Sequence, residues 1–352
     1  MHKFDYSFLD NGLLPTGILN LTSTISALKA LANERRDKNL QVYTQLESIA
    51  RVQSVKNSNA IEGIITTDAR IKEIVDGSSA PLNHNEMEIA GYRDALDEIH
   101  QHHNELFVNE ETILFMHKTM LGVAGYQYGG QYKQEDNMIL EVDADGMRKV
   151  RFRPIAAKET KAAMEQLVLA YMEARANPNI NQLLLTPCVV LDFLCIHPFD
   201  DGNGRVSRLL SLLLLYKNEY DICKYVSFEE QINHSKEYYY QSLYESSQKW
   251  HENENSYVPF MENFLLTLYK CYKELDQRFS VINGKHLKKN ERIEQTVLNS
   301  VLPISKMEIC DILPDVSVTT VEAVLGKLVK QGKVQKLGQA RSTKYVNAKY
   351  VK

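Results

Sequence analysis

A polar loop, residues 197–205 (HPFDDGNGR), lies between two strongly apolar helical stretches, Leu183–Ile196 and Val206–Lys217. The second stretch holds the most apolar run of the chain, LLSLLLLY from Leu209 to Tyr216, which is too short to span a bilayer and so belongs to a folded core. A chain organised around such a pair is expected to be mainly α. Helical periodicity also marks residues 18–50, 86–102, 110–121, 158–176, 235–248 and 258–279, broken by Asn, Gly or Pro signals. The exception is residues 129–153, GGQYKQEDNMILEVDADGMRKVRFR, where polar and β-favouring residues alternate around a DADG turn signal and predict one β-hairpin flap.

At 352 residues the chain has room for one large core and a smaller module. A polar, basic stretch near Asn283–Asn290 reads as the linker between them. Beyond it, Ser305–Leu313 predicts a short helix, DVSV a turn, and Thr319–Gln331 a second helix with Val321, Val324, Leu325 and Leu328 on one face. Gly332 and a hairpin, VQKLGQARSTKYVN, follow, giving the order of a winged helix-turn-helix module. Past Gly326 come eight lysines or arginines and no acidic residue, a strip able to contact DNA phosphates. The second helix offers few side chains for reading base edges, so protein docking or dimerisation is the favoured reading of the module.

The formal charge of −4 argues against a surface coated with nucleic acid, and 44% hydrophobic residues exclude wholesale disorder. Five scattered cysteines without a CxxC pair read as reduced thiols, and the N-terminal segment lacks the apolar core of a signal peptide. A cytoplasmic protein without membrane association is expected.

The loop carries the chemistry. Gly202 and Gly204 free the backbone to approach a ligand, so N–H groups at the start of the next helix can point at an anion, and Asn203 adds a side-chain donor. Arg205 and Arg208, three apart, share a helix face and can clasp oxygens of one polyphosphate. Asp201 beside them would repel phosphate unless a hard cation bridged the two, which implies Mg²⁺. His197, with an ordinary pKa near 6.5, suits a base that takes a proton from an attacking hydroxyl. Phe199 reads as an apolar anchor for the loop, and Trp250 as packing.

HPFDDGNGRVSR matches at every constrained position HxFx(D/E)GNGRxxR, and the chain therefore resembles the Fic (Fic/Doc, fido) family over about Leu40–Leu266. The resemblance implies a helical core with a β-hairpin flap, and transfer of AMP from ATP to a Ser, Thr or Tyr hydroxyl of a target protein or of the chain itself. It makes His197 the base and Asp201 the Mg²⁺ ligand. Gly202, Asn203, Gly204, Arg205 and Arg208 become the nucleotide-binding set. A target would dock on the flap near residues 130–140 by added β-pairing, with Lys133 standing where Arg is common. Similar proteins are commonly homodimers.

Upstream, VKNSNAIEGIITT places Ser58 and Glu62 four apart, on one helix face, with Gly63 suited to the left-handed position that ends a helix. This resembles the family's inhibitory motif (S/T)xxxE(G/N). The resemblance implies that Glu62 pairs with Arg208 and misaligns ATP. The segment INHSKEYYY, Ile232–Tyr240, also resembles a family segment near the nucleotide pocket. The division expected is 1–105, a helical region with the inhibitory motif; 106–282, the Fic core; and 291–352, the winged helix-turn-helix-like domain. Two rival functions stand beside transfer: a nucleotide-sensing DNA-binding regulator, and removal of AMP with Glu62 positioning a water.

Overall fold

A computed structural model describes residues 2–142, 147–283, 288–298, 300, 303–313, 316–338 and 343–350. They form two compact units, residues 1–29 with 50–271, and residues 30–49 with 272–352. These bounds cut across the expected three-part division, since residues 30–49 group with the C-terminal elements.

The helices in chain order are α1 (Phe8–Asn11), α2 (Thr16–Lys38), α3 (Leu40–Ile61), α4 (Asp68–Val75), α5 (His84–His102) and α6 (Glu110–Gly122). Strands β1 (Ile139–Val142) and β2 (Arg148–Phe152) interrupt them. Then follow α7 (Ala157–Ala176), α8 (Gln182–Ile196), α9 (Asn203–Lys217), α10 (Phe228–His234), α11 (Lys236–Ser247) and α12 (Val258–Asn283). The protein is mainly α, as its apolar periodicity predicts.

The larger unit centres on α8 and α9, where every residue of 183–196 and nearly every residue of 203–216 is buried. Several helix starts in this unit are set by side-chain caps. The Asn83, Asn109 and Asn181 side chains accept from the N–H groups of Glu86, Thr112 and Leu183, satisfying donors that have no partner inside the helix. Trp250 is fully buried and its indole N–H donates to Asp192 Oδ1 at 2.7 Å. Asp192 also accepts from the hydroxyls of Tyr6 at 2.8 Å and Tyr257 at 3.0 Å, so this carboxylate on α8 gathers the N-terminal segment and the start of α12.

The flap is shorter than its composition suggests. β1 and β2 pair antiparallel, Leu140 opposite Val150 and Glu141 opposite Lys149, with a register shift after Ile139. Residues 129–138 form no strand, because their polar groups bind the loop after α8 instead: the Lys133 N–H donates to the Pro198 carbonyl at 2.9 Å. The expected DADG turn, residues 143–146, lies outside the described residues.

The smaller unit holds α13 (Lys289–Leu298), β3 (Ile304–Ser305), α14 (Lys306–Ile312), α15 (Val318–Lys330), β4 (Val334–Leu337) and β5 (Lys344–Asn347). The strands form one antiparallel sheet in the order β3-β5-β4. Val321, Val324, Leu325 and Leu328 of α15 pack into a core with Ile293, Ile309 and Val334. Ser305 and Glu308 form a reciprocal capping box at the start of α14. Residues 339–342 of the expected wing lie outside the described residues.

Candidate functional site

Helix α8 ends when His197 turns left-handed, at φ 51° and ψ 62°, its N–H still bonded to the Phe193 carbonyl at 2.9 Å. A non-glycine residue there costs on the order of 1–3 kcal/mol, so the surroundings must hold it. The loop that follows is locked from inside. The Asn203 side chain accepts from the Phe199 N–H at 2.9 Å and donates to the Phe199 carbonyl at 2.8 Å. Asn203 is thus a staple of the loop, with its amide committed rather than turned outward. Phe199 is fully buried and stacks on the His117 ring, centroids 3.7 Å apart.

Gly202 precedes α9 at φ +82°, and a Cβ there would lie 2.6 Å from Met120 Cε. At Gly204 a Cβ would fall 2.2 Å from Glu62 Oε1, so only glycine lets the Glu62 carboxylate rest against the first turn of α9. That turn presents backbone N–H groups free of intrahelical partners, where the helix dipole favours negative charge.

The two arginines do different things. Arg205, 1% exposed, donates from Nη1 to Glu88 Oε2 at 2.6 Å and from Nη2 to Asp201 Oδ2 at 3.1 Å. Arg208 donates from Nε to Ser58 Oγ at 2.8 Å, and from Nη2 to the Ser58 carbonyl at 2.9 Å and to Glu62 Oε1 at 2.8 Å. Ser58, Glu62 and Arg208 are therefore brought together, with α3 ending at Ile61 and Gly63 left-handed at φ +80°. Burial raises the Glu62 pKa, but the Arg208 guanidinium outweighs it and leaves the carboxyl below its ordinary range. For Arg208, burial opposes the charge and Glu62 more than restores it. Lys236 Nζ donates to the Ile61 carbonyl at 2.5 Å, steadying the end of α3.

Burial lowers the His197 pKa to about 4; the nearby Lys133 ammonium adds to the effect, while the Leu194 carbonyl, Glu62 and Asp201 oppose it. The imidazole is therefore neutral across the physiological range and able to accept a proton, although it is a weaker base than its ordinary pKa near 6.5 suggests. Asp201 stands at the rim with 55% of its side chain exposed. One of its oxygens is held by Arg205, leaving the other for a cation. Among the described residues no group of three or more His, Cys, Asp or Glu is arranged to hold a metal. A lone carboxylate fits Mg²⁺ in the way that ion commonly binds, through one or two carboxylates plus phosphate and water oxygens.

His197, Glu62 and Gly204 share a cleft of about 390 Å³ with Arg151 of β2 and with Tyr240 and Tyr244 of α11. Arg151 lies over the Tyr244 ring at 5.1 Å and donates to the Tyr240 carbonyl, tying the flap to α11. Tyr240 closes the INHSKEYYY segment, which brings that segment to the cleft.

Sequence reasoning missed Glu88, His117 and the backbone role of Lys133. His117 is fully buried; Gly130 N donates to its Nδ1 at 3.0 Å, so Nε2 carries the proton and donates to the Asp201 carbonyl at 3.1 Å. A lone His or Glu on a helix has no neighbouring signal that marks such a role. In the smaller unit, Lys333 pairs with Glu294 at 2.6 Å and Lys344 with Glu308 at 3.6 Å, so part of the basic strip is neutralised.

Comparison with known proteins places a Fic/DOC family domain at residues 107–215 of this chain. Members of that family are generally transferases that move AMP or other nucleotide-derived groups onto proteins. Solved structures with the same fold include a Fic family protein from Desulfovibrio desulfuricans G20, 17% identical, covering 95% of this chain and 97% of that one, with a TM-score of 0.63. A Fic domain containing signaling protein from Bacteroides thetaiotaomicron VPI-5482 is 21% identical over 74% of this chain and 98% of its own, with a TM-score of 0.55. A glutamate-to-glycine variant of a Fic-1 fragment from C. elegans is 15% identical over 74% of this chain and 72% of its own, with a TM-score of 0.55. No curated protein matches the chain. No helix among the described residues is long and apolar enough to cross a membrane.

Proposed function

We propose that this chain is a protein adenylyltransferase, moving AMP from ATP to a Ser, Thr or Tyr hydroxyl of a target protein or of itself, and that Glu62 restrains it. The observation that carries the reading is the convergence of a neutral His197, the glycine-opened start of α9 and the Arg208 guanidinium on the site. In the reaction the hydroxyl oxygen attacks the α-phosphorus, the bond from that phosphorus to the β-phosphate bridging oxygen breaks, and pyrophosphate leaves. The hydroxyl proton passes to the His197 ring. The N–H groups at the start of α9 face the phosphates, and Arg205 fixes the Asp201 carboxylate. Mg²⁺ bound at Asp201 would supply charge neutralisation for the departing pyrophosphate. The target would add a strand to β1, whose second edge carries no strand among the described residues.

Glu62 restrains this chemistry by holding Arg208, the group placed to receive a terminal phosphate. That commitment also disfavours AMP removal by a Glu62-bound water. DNA contact through the C-terminal unit, read as a winged helix, is weakened by the carboxylate partners of Lys333 and Lys344. A nucleotide sensor would need phosphate ligands but no base, and His197 is then unexplained.

The test is incubation with α-labelled ATP and Mg²⁺. Glu62→Gly is expected to label protein, and Glu62→Gly combined with His197→Ala to bind ATP without labelling. Absence of label on both wild type and Glu62→Gly overturns transfer in favour of the regulator.

A further inference from the structure

Among the described residues the His197 imidazole has no side-chain partner to orient it, and the polar group that acts on it from nearby is the backbone carbonyl of Leu194. Its Nδ1 is buried without a well-formed hydrogen bond among the described residues, so no triad-like third group sets the ring. Orientation must come from the backbone, which at His197 is left-handed. The carbonyls on either side of this residue are claimed by one short segment. Lys133 Nζ donates to the Ile196 carbonyl at 3.2 Å, and the Lys133 N–H to the Pro198 carbonyl at 2.9 Å. Asn137 accepts from Lys133 Nζ at 2.8 Å and donates from Nδ2 to the Phe199 carbonyl at 3.1 Å. Lys133 is 2% exposed and has no ion pair within contact range among the described residues. Burial lowers the Lys133 pKa to about 8, opposed by the nearby Asp136 and Asp200 carboxylates, so the side chain gives up solvation for its bonds to the Ile196 carbonyl and Asn137.

We propose that Lys133, seated by Asn137, is a positioning residue that grips the His197 turn from both sides and holds the imidazole in its left-handed, reactive placement. Lys133 does not touch the nucleotide or the hydroxyl; it acts through His197. The segment at the root of the flap thereby couples the target-docking hairpin to the base.

This inference rests on the adenylyltransferase reading for its kinetic arm only. Lys133→Met keeps the apolar stem and removes the Nζ bonds, Lys133→Arg restores a donor, and Asn137→Ala removes the seat should Lys133→Met fold poorly. The first readout needs no activity: the ¹³Cα shift of His197 in ¹³C-histidine-labelled protein, assigned by its loss in His197→Ala. It is expected to move away from the left-handed value in Lys133→Met and Asn137→Ala and to return in Lys133→Arg. An unmoved shift in both variants overturns the brace. The second readout, in the Glu62→Gly background, is a fall in kcat on the order of a hundredfold with KM for ATP unchanged, as expected for a misplaced reactive group. A rise in KM with kcat retained also overturns it. If Glu62→Gly itself labels nothing, the adenylyltransferase reading fails, and the His197 shift still decides the brace.

Discussion

Replacing Glu62 by glycine removes one of the three hydrogen bonds that Arg208 makes among the described residues, the 2.8 Å bond from Nη2 to Oε1, and leaves both bonds to Ser58. The guanidinium thus stays anchored while the position a phosphate would take falls open. A charge-assisted hydrogen bond contributes about 1.5 to 3 kcal/mol, and the Glu62 side chain is only 30% exposed, so solvent screens the pair modestly. At about 1.4 kcal/mol per factor of ten, releasing Arg208 corresponds to a rise of roughly 10- to 150-fold in kcat/KM for ATP. Charge and shape can be separated. The carboxylate lies against Gly204, so Glu62→Gln keeps the bulk over the helix start and loses the charge. If the ion pair restrains the protein, Gln recovers most of the gain; if bulk does, Gln resembles wild type and only Gly activates. The Glu62 pKa is lowered on folding, so the pair is fully formed above the ordinary carboxylate value near 4.3 and weakens only below it. The ratio of variant to wild-type rates should therefore be flat from about pH 6 to 9. The assay is the initial rate of α-labelled AMP incorporation at limiting ATP. Equal rates for wild type and Glu62→Gly refute the reasoning.

Glu88→Ala strips the main partner from a guanidinium 1% exposed and is expected to cost about 3 to 5 kcal/mol, as for other broken buried pairs, measured by urea unfolding; a loss under about 1 kcal/mol contradicts the assigned network. Asp192 is held by burial at a pKa of about 7, above its unfolded value, so the folded state binds the extra proton between about pH 4 and 7 and stability falls as pH rises through that window. Asp192→Asn should flatten this slope, destabilising less at pH 8 than at pH 5 in thermal melts, and an unchanged slope contradicts the assignment.

The helices were legible because their signals are local. The apolar stretches at 183–196 and 206–217 need only hydrophobic periodicity, and α9 begins at Asn203 rather than Val206 because left-handed Gly202 starts the helix before its apolar face begins. The hairpin was overextended for a nonlocal reason. Residues 129–138 lead into the β-favouring run of the hairpin, but their donors and acceptors go to the 196–199 carbonyls and to His117, contacts between segments far apart in sequence.

The arginines show where local spacing stops being informative. Three residues apart on α9, Arg205 and Arg208 look interchangeable, and a shared helix face suggests a shared ligand. What separates them is what each meets across the core: Arg205 meets Glu88 of α5 and Arg208 meets the end of α3. Arg205 is bound to two carboxylates, and freeing it for a phosphate would strand Glu88 in a buried site, which is costly. Arg208 faces one carboxylate at the edge of the cleft, and displacing Glu62 moves a part-exposed residue just past the end of α3 rather than a core residue. In the proposed adenylyltransferase, nucleotide would therefore compete with Glu62 at Arg208, and a restraint of this kind needs one residue to be lifted.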